Sequence, residues 1–365
     1  MESFSSFKMG SNLNLMSKSI NRSRKLYLFN LSMDQDNKIL SHSILWARKF
    51  ASNFEETLIV TTYAGFQKKI NGDMRILELG GGTFLTRFIA IGKLLFVLVK
   101  ILLDKKRAVV FYHMTTRPAV IIAPIARMFG IKQGLWYSHQ KAPISLKLAT
   151  LFVDSIFSPT EKSFPIQTAK LTQVGHGIET SFWSQLPVKS NTSTHIAVVG
   201  RVSRVKRIEN LIEACSRLQN YQIKVEIIGP VNDRRYLLEL EELSNKFQVD
   251  FHYIGELSKD ELLNNSHNYR MVYSGTLKSV DKAPLEMMAT GLPIVSSNME
   301  LMKASRMDGF WREHFQEELS VQPLETQIRR FLDCKLELSQ ISELRALIEK
   351  DNNLDRLIER LVKSI

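Results

Sequence analysis

The sequence predicts an α/β protein made of two doubly wound parallel-sheet domains. Three observations carry this expectation. Short apolar runs alternate with segments of helical periodicity along almost the whole chain. The alternation comes in two series, separated by the polar stretch LPVKSNTST at residues 186–194. The chain's 365 residues also exceed what one core commonly supports. Continuous apolar strands interleaved with helices signal a parallel sheet covered on both faces.

Residues 1–25, MESFSSFKMGSNLNLMSKSINRSRK, are rich in Ser and Asn and hold no apolar run. A disordered basic extension is expected there, not a secretory leader. The first domain is expected over 26–188, opening with the strand LYLFNLS at 26–32. LSHSILWARKFASNF follows, with Leu40, Ile44, Leu45, Ala47 and Phe50 near one helical face. TLIVTT, AVVFYHM, GLWYSHQ, DSIFSPT and KLTQVGHG supply further strands. The second domain is expected over 193–350, with strands HIAVVG, KVEIIGP, FHYIGEL, RMVYSGT and LPIVSSN. Its helices are expected to begin near Lys206, Arg234, Lys259 and Pro284, and the chain beyond Leu301 reads as mostly helical.

Composition narrows the function. Hydrophobic content of 44 % with 24 % charged residues is that of a globular chain able to bury sizeable cores. Only Cys215 and Cys334 are present, which excludes a disulfide framework and a Cys-rich metal site and fits a reducing, cytoplasmic location. The net charge of +12 favours anionic partners: phosphorylated ligands, acidic lipid or nucleic acid. Nucleic acid fits least, because the cations are not interleaved with exposed-type aromatics.

The most apolar stretch is FLTRFIAIGKLLFVLVKILLDKKR, residues 84–107. Lys93 at its centre, flanked by Arg87 and Lys100, argues against a membrane span, since each charge at a bilayer centre costs roughly 2.5–3.5 kcal/mol. At 100° per residue Lys93, Lys100, Asp104 and Arg107 fall within about 60° of one another. Two readings stay open: a core helix with one solvated stripe, or an interfacial helix resting on the anionic face of a membrane.

Two segments carry candidate chemistry. VVGRVSRVKRIENLIEA, residues 198–214, passes from a buried strand into a helix whose stripe is Ile208, Leu211, Ile212, Cys215 and Leu218. Arg201, Arg204, Lys206 and Arg207 crowd the turn between them, the unfavourable sign for a helix N-terminus. A phosphate or diphosphate held by Arg201 and Lys206 would explain them; a solvated basic loop explains them equally well. SGTLKSVDKAPLEMMATGLPIVSSN, residues 274–298, runs from a strand end into a short helix with Pro284 and Glu286 in its first turn, where an acid is also simply compatible with the dipole.

Taken in order, GRVSRVKRIENLIEA, EIIGP, FHYIGEL and PLEMMATGLPIV resemble the C-terminal domain of retaining glycosyltransferases of family 4, in particular those of bacterial cell-surface polysaccharide and lipopolysaccharide assembly. VGHGIETSFW resembles the family's segment leading into its interdomain linker, and DNNLDRLIERLVKSI its terminal helix. The resemblance implies the GT-B fold: two Rossmann-like domains facing a cleft, with residues 351–365 crossing back onto the first. It implies transfer of a sugar from a nucleotide-sugar donor to a glycan or lipid-linked acceptor, with retention of configuration and without metal or other cofactor. Arg201 and Lys206 match the diphosphate ligands, Glu286 the ribose ligand, and the backbone at Gly255 and Glu256 the loop that meets the base. Lys278 stands where the family has a Glu near the donor sugar. Asp281 can take over that contact, or the donor can be acidic. A non-catalytic protein of the same fold, binding a nucleotide sugar or a partner enzyme, is the competing reading.

In the first domain His139 of WYSHQ follows an apolar strand and is assigned the catalytic position, against a satisfied structural histidine as the alternative. His113 of FYHM shares that placement, and His176 of GHG reads as ordering the turn toward the linker. DQD at 34–36 looks like a metal-binding motif but lacks a third ligand, so no metal site is expected.

Overall fold

The structure, a computed structural model, describes residues 23–34, 42–65, 74–80, 84–187, 192–277, 279–305, 307, 309–314 and 321–365. The leader up to residue 22, Asp36 of the DQD motif, linker residues 188–191 and Lys278 lie outside the described residues. The chain divides into two compact units, one reaching Val174 and including Ile358–Ile365, the other Gly175–Leu357.

In the first unit β1 (Lys25–Ser32), α1 (His42–Ala51), β2 (Glu56–Tyr63) and β3 (Met74–Glu78) are followed by α2 (Phe84–Leu103) and β4 (Ala108–His113). Then come α3 (Thr116–Met128), β5 (Lys132–Trp136), α4 (Ile144–Phe152), β6 (Ser155–Ser158) and β7 (Leu171–Gln173). The strands form one parallel sheet in the order β3-β2-β1-β4-β5-β6-β7. β4 is buried along its whole length, which explains its unbroken apolar sequence. On one face α2, α3 and α4 bury Leu94, Val97, Ile101, Ile122 and Leu146 against Tyr27, Phe29, Val110 and Tyr112. On the other, Trp46 and Phe50 of α1 pack on Phe111. The last residues belong here: Arg24 Nη1 donates to the Ile365 carbonyl at 2.9 Å.

In the second unit α5 (Thr180–Trp183), β8 (His195–Val199), α6 (Ile208–Ser216), β9 (Lys224–Ile228), α7 (Arg234–Phe247) and β10 (Asp250–Gly255) come first. They are followed by α8 (Lys259–Asn265), β11 (Met271–Ser274), α9 (Lys282–Ala289), β12 (Ile294–Ser296), α10 (Met299–Ala304) and α11 (Gly309–Glu313). α12 (Val321–Asp333) and α13 (Leu338–Asn352) complete this unit, and α14 (Leu354–Ser364) starts in it and belongs to the first from Ile358, seven residues later than the expected 351. The sheet is parallel, in the order β10-β9-β8-β11-β12. Local sequence explains the helix starts: Asp233 caps α7 by accepting from Tyr236 N–H at 3.0 Å, and Ser258 with Glu261 forms a capping box on α8. The architecture is therefore α/β with two parallel-sheet Rossmann-like domains.

Several readings of the sequence change. The division between units lies at Val174/Gly175 and not at 188, because 176–183 bonds within the second unit; Ile178 N–H donates to Asn352 O at 2.7 Å. Strand β3 had no signal, being a half-buried edge strand with Arg75 and Glu78 interrupting its apolar residues. Helix α6 begins at Ile208, since Arg204–Lys206 form a separate 3₁₀ turn and Arg207 is left-handed at φ 49°. Helix α9 begins at Lys282, which puts Glu286 in its second turn.

The stripe on α2 is tied into the first unit at three of its four positions, although Arg107 stays exposed. Lys93 Nζ donates to the Glu78 carbonyl at 2.6 Å, Asp104 accepts from Tyr27 Oη at 2.6 Å and pairs with Lys25 at 3.4 Å, and Arg107 pairs with Glu55. The side that α2 turns to solvent is apolar.

Candidate active site

Three glycines at or beside strand ends of the second sheet bring backbone close to backbone. Gly200, after β8, has φ +121°. Gly229, after β9, has φ +140°, and a Cβ there would stand 2.3 Å from the Gly200 carbonyl oxygen. Gly275, after β11, leaves room for the Lys206 carbonyl, which a Cβ would approach to 2.0 Å. Only glycine fits such contacts. The result is a crevice floor at the carboxyl ends of the strands, where ligands of doubly wound sheets bind.

Lys206 lies over this floor, its Nζ 3.5 Å from the position a Gly200 Cβ would take. The ammonium meets Asp281 Oδ2 at 2.5 Å, and Thr276 Oγ1 donates to the same oxygen at 2.5 Å. Lys206 is only 11 % exposed, so the pair is poorly screened. Burial alone would raise the Asp281 carboxyl, but the Lys206 charge and the Thr276 hydroxyl outweigh it and hold the group below its ordinary range. Asp281 occupies the N-cap position of α9 yet accepts no hydrogen bond from that helix. Its carboxylate is turned to Lys206 instead, leaving the helix's first N–H groups without a side-chain cap.

One turn into α9, Lys282 Nζ lies 3.6 Å from Glu286 Oε1, and Glu286 is 13 % exposed. Burial lowers the Lys282 pKa and the Glu286 charge opposes that shift. Behind this turn His176 Nε2 contacts the Val280 carbonyl at 2.6 Å. Burial pushes the His176 pKa down, only partly offset by that carbonyl. A neutral ring donating from Nε2 fits both facts, so His176 braces the loop that carries Asp281.

The four cations of the 201–207 turn have separate fates. Arg204 leaves the crevice, pairing with Glu239 at 2.7 Å and Asp233 at 3.6 Å and stacking over Tyr236 at 5.1 Å. Arg207 is held by its backbone, its carbonyl accepting from Tyr273 Oη at 2.8 Å. Lys206 faces Asp281. Arg201 is exposed and makes no side-chain hydrogen bond or ion pair among the described residues. The N-terminus of α6 takes no part, because Ile208 N–H donates to Tyr236 Oη at 2.9 Å and that hydroxyl donates to Glu209. Gly255 lies beside the floor, its carbonyl accepting from Gly229 N–H at 2.8 Å; its φ is +91°, and Glu256 next to it is exposed.

Lys206, Asp281, Thr276 and the Lys282–Glu286 pair thus come together with the Gly255 loop alongside. Sequence reasoning missed Thr276 and the brace from His176, which carry no local signal; the i,i+4 spacing of Lys282 and Glu286 was a usable one. A cavity of about 580 Å³ near β10, lined by His195, Glu226, Ile254, His267 and Tyr269, does not include these residues. In the first unit His139 is exposed, its Nδ1 accepting from Lys141 N–H at 2.9 Å. His113 is buried, stacked on Trp46 at 4.5 Å and bonded to Asn30, a structural environment. Among the described residues no group of three or more His, Cys, Asp or Glu side chains is placed to hold a metal ion.

Residues 180–350 match the family model described as Glycosyl transferases group 1. That span is somewhat under half of the chain and covers the whole Lys206–Glu286 arrangement. No curated protein matches the sequence significantly. Among solved structures, the chain is similar to Anabaena HepE in complex with UDP, at 13 % identity and TM-score 0.69, covering 93 % of this chain and 98 % of that one. It is similar to a glycosyltransferase from Rickettsia africae ESF-5, at 10 % identity and TM-score 0.67, covering 93 % and 97 %. It is also similar to the lipopolysaccharide outer core galactosyltransferase WaaB, at 13 % identity and TM-score 0.62, covering 93 % and 99 %. The fold is that of GT-B glycosyltransferase structures.

Proposed function

We propose that the protein is a glycosyltransferase of the family 4 type, moving a sugar from a nucleotide-sugar donor to a glycan or lipid-linked acceptor with retention of configuration and without a metal ion. The observation that carries this is the Lys206 ammonium held over the glycine floor, with the uncapped start of α9 beside it. Cleavage at the anomeric carbon leaves negative charge on the diphosphate, and a fixed cation in a poorly screened crevice stabilises that charge as it forms. Arg201, free to move, closes on the same group. The Glu286 carboxylate accepts hydrogen bonds from the ribose hydroxyls, and the backbone at Gly255 and Glu256 meets the base. Asp281 acts as resident counter-ion: the donor diphosphate displaces it from Lys206, and the freed carboxylate turns to the sugar. His139 is kept as the proposed catalytic residue.

HepE is described in complex with UDP-glucose, so UDP-sugars are the donors to test first. Release of nucleoside diphosphate by the full-length protein, across a donor panel with candidate acceptors, decides the reading. No release from any donor would sink it. One observation favours the second reading, a nucleotide-sugar binder without catalysis: Lys206 already has its charge matched by Asp281. Restoring the family residue with Lys278→Glu separates the cases. Transfer that falls marks an acidic donor sugar, and transfer that holds or rises marks a neutral one. Absence of turnover in both forms, with the nucleotide still bound, marks a binder.

A further inference from the structure

Helices α2, α3 and α4 form one layer on the first sheet, and their outward side combines exposed apolar side chains with basic ones. Across their full lengths of 20, 13 and 9 residues there is no Asp or Glu. The cations are Arg87, Lys93, Lys100, Arg117, Arg127 and Lys147. On α2, Phe88, Leu95, Phe96, Val99 and Leu103 are all exposed. At 100° per residue they fall within an arc of roughly 100°, a continuous apolar face bordered by Lys100 on one side and Arg87 on the other.

The C-terminal ends of the three helices meet in one rim. Lys105 Nζ lies 5.8 Å over the Phe129 ring, joining the end of α2 to that of α3. Arg127 Nη1 donates to the Phe152 carbonyl at 3.3 Å, joining α3 to α4. Leu103 is 81 % exposed there, Met128 82 % and Leu151 63 %, set among exposed Lys105, Lys106 and Arg127. Soluble monomers rarely expose so wide an apolar patch without a use for it.

The charge decides the occupant. A second copy docked on this face would bring one basic helix layer against another, and the nearest carboxylates, Asp104 and Asp154 just beyond the helix ends, are engaged by Lys25 and Tyr27 and by Gln133 N–H. An anionic lipid surface answers both features, since apolar side chains enter the headgroup boundary while Lys and Arg meet lipid phosphates. The helix does not leave its sheet to span the bilayer, because Leu94, Val97, Leu98 and Ile101 are its core side. No helix among the described residues is long and apolar enough to cross a membrane.

We propose that this layer is the face by which the protein rests on an anionic lipid bilayer, with Phe96, Leu103, Met128 and Leu151 in the headgroup boundary and Lys105, Lys106 and Arg127 on lipid phosphates. None of these residues belongs to the Lys206 arrangement, so the proposal stands whether or not the protein transfers sugar. The apolar face makes Leu103 and Met128 as decisive as the cations.

Flotation of the full-length protein tests it, using vesicles of phosphatidylcholine alone and vesicles with about 30 % phosphatidylglycerol. The wild type floats with the anionic vesicles at least about tenfold better than with the neutral ones, because each basic side chain near such a surface adds several-fold. K105E/K106E loses most of that preference. L103E/M128E loses about tenfold on anionic vesicles although its cations remain, because the apolar anchor is gone. All three proteins keep the same circular dichroism, since every changed residue is on the surface. Wild type that stays unbound to both vesicles at about 0.1 M salt overturns the proposal, because screening there is still modest. So does equal flotation of wild type and L103E/M128E. A lipid-free dimer that L103E/M128E converts to monomer overturns it in favour of a second copy.

Discussion

Helices α2 and α7 each cover a parallel sheet, yet they turn opposite surfaces outward. α7 buries Tyr236, Leu237, Leu240 and Ser244, and its other side carries Arg235, Glu239, Glu242 and Lys246. Glu239 on that side anchors Arg204, tying the helix to the loop that holds Lys206. α2 buries Leu94, Val97, Leu98 and Ile101 and turns Phe88, Leu95, Phe96 and Val99 to solvent. The inward stripe is dictated by the sheet and looks alike in both. The outward side is free of that demand, so it records what each unit meets: in the second, ionic ties around a charged crevice; in the first, an apolar plane.

The comparison breaks most directly by truncating one leucine from each side. Leu240 is 1 % exposed, and Leu240→Ala should cost about 2–5 kcal/mol, the transfer term plus a cavity. Leu103 fills no cavity, so Leu103→Ala should change stability by no more than about 0.5 kcal/mol. Amide hydrogen exchange in β9 and in β4 reads each unit separately. A large loss of protection in β4 on Leu103→Ala would mean that its outward side is packed after all.

The chemistry assigned to the second unit gives the next effect. Lys206→Ala should lower turnover by roughly 10²–10³, the usual loss when one preorganised contact to developing charge is removed. The exposed K105E/K106E pair in the first unit should leave turnover on a water-soluble acceptor unchanged. Near-normal transfer by Lys206→Ala, with fold intact, removes the diphosphate assignment. Asp281→Asn sharpens the same point, since without its counter-ion Lys206 should bind UDP more tightly in calorimetry.

Glu286→Gln is smaller. If the carboxylate accepts from ribose, UDP affinity should fall by roughly 1.5–3 kcal/mol, the range for hydrogen bonds to a charged group. Unchanged affinity leaves Glu286 as the partner of Lys282 only.

Much of this was legible in the sequence, for reasons particular to each element. Buried parallel strands such as β4 and β8 announce themselves because both faces are covered. The edge strand β3 does not, because solvent on one side tolerates Arg75 and Glu78. Lys206 and Asp281 could each be named, but their pairing could not: 75 residues separate them, and only the glycine floor brings them together. The start of α6 was misplaced because a left-handed Arg207 has no sequence signature, unlike the glycines. The outward side of α2 was misread because the charged residues of its stripe were visible in the sequence while their intramolecular partners were not: the Glu78 carbonyl for Lys93, Tyr27 for Asp104 and Glu55 for Arg107.

The smallest effect concerns pH and falls on the second unit alone. The His176 pKa is depressed below its ordinary value of 6.5 by burial, and the ring also faces the charges of Asp281 and Lys282. Between the folded and unfolded values the unfolded chain binds more protons, so stability rises with pH across that window. The contribution of His176 is therefore complete above about pH 6.5 and is lost as the pH falls toward the folded pKa, at no more than about 1.4 kcal/mol per pH unit for one proton. Exchange protection in β8 and β11 should accordingly weaken between about pH 7.5 and pH 5.5 once corrected for intrinsic exchange. His176→Gln keeps an N–H donor for the Val280 carbonyl and cannot titrate, so its protection should stay level over the same range. A variant that weakens as steeply as the wild type would place the pH response elsewhere and remove His176 as the brace behind Asp281.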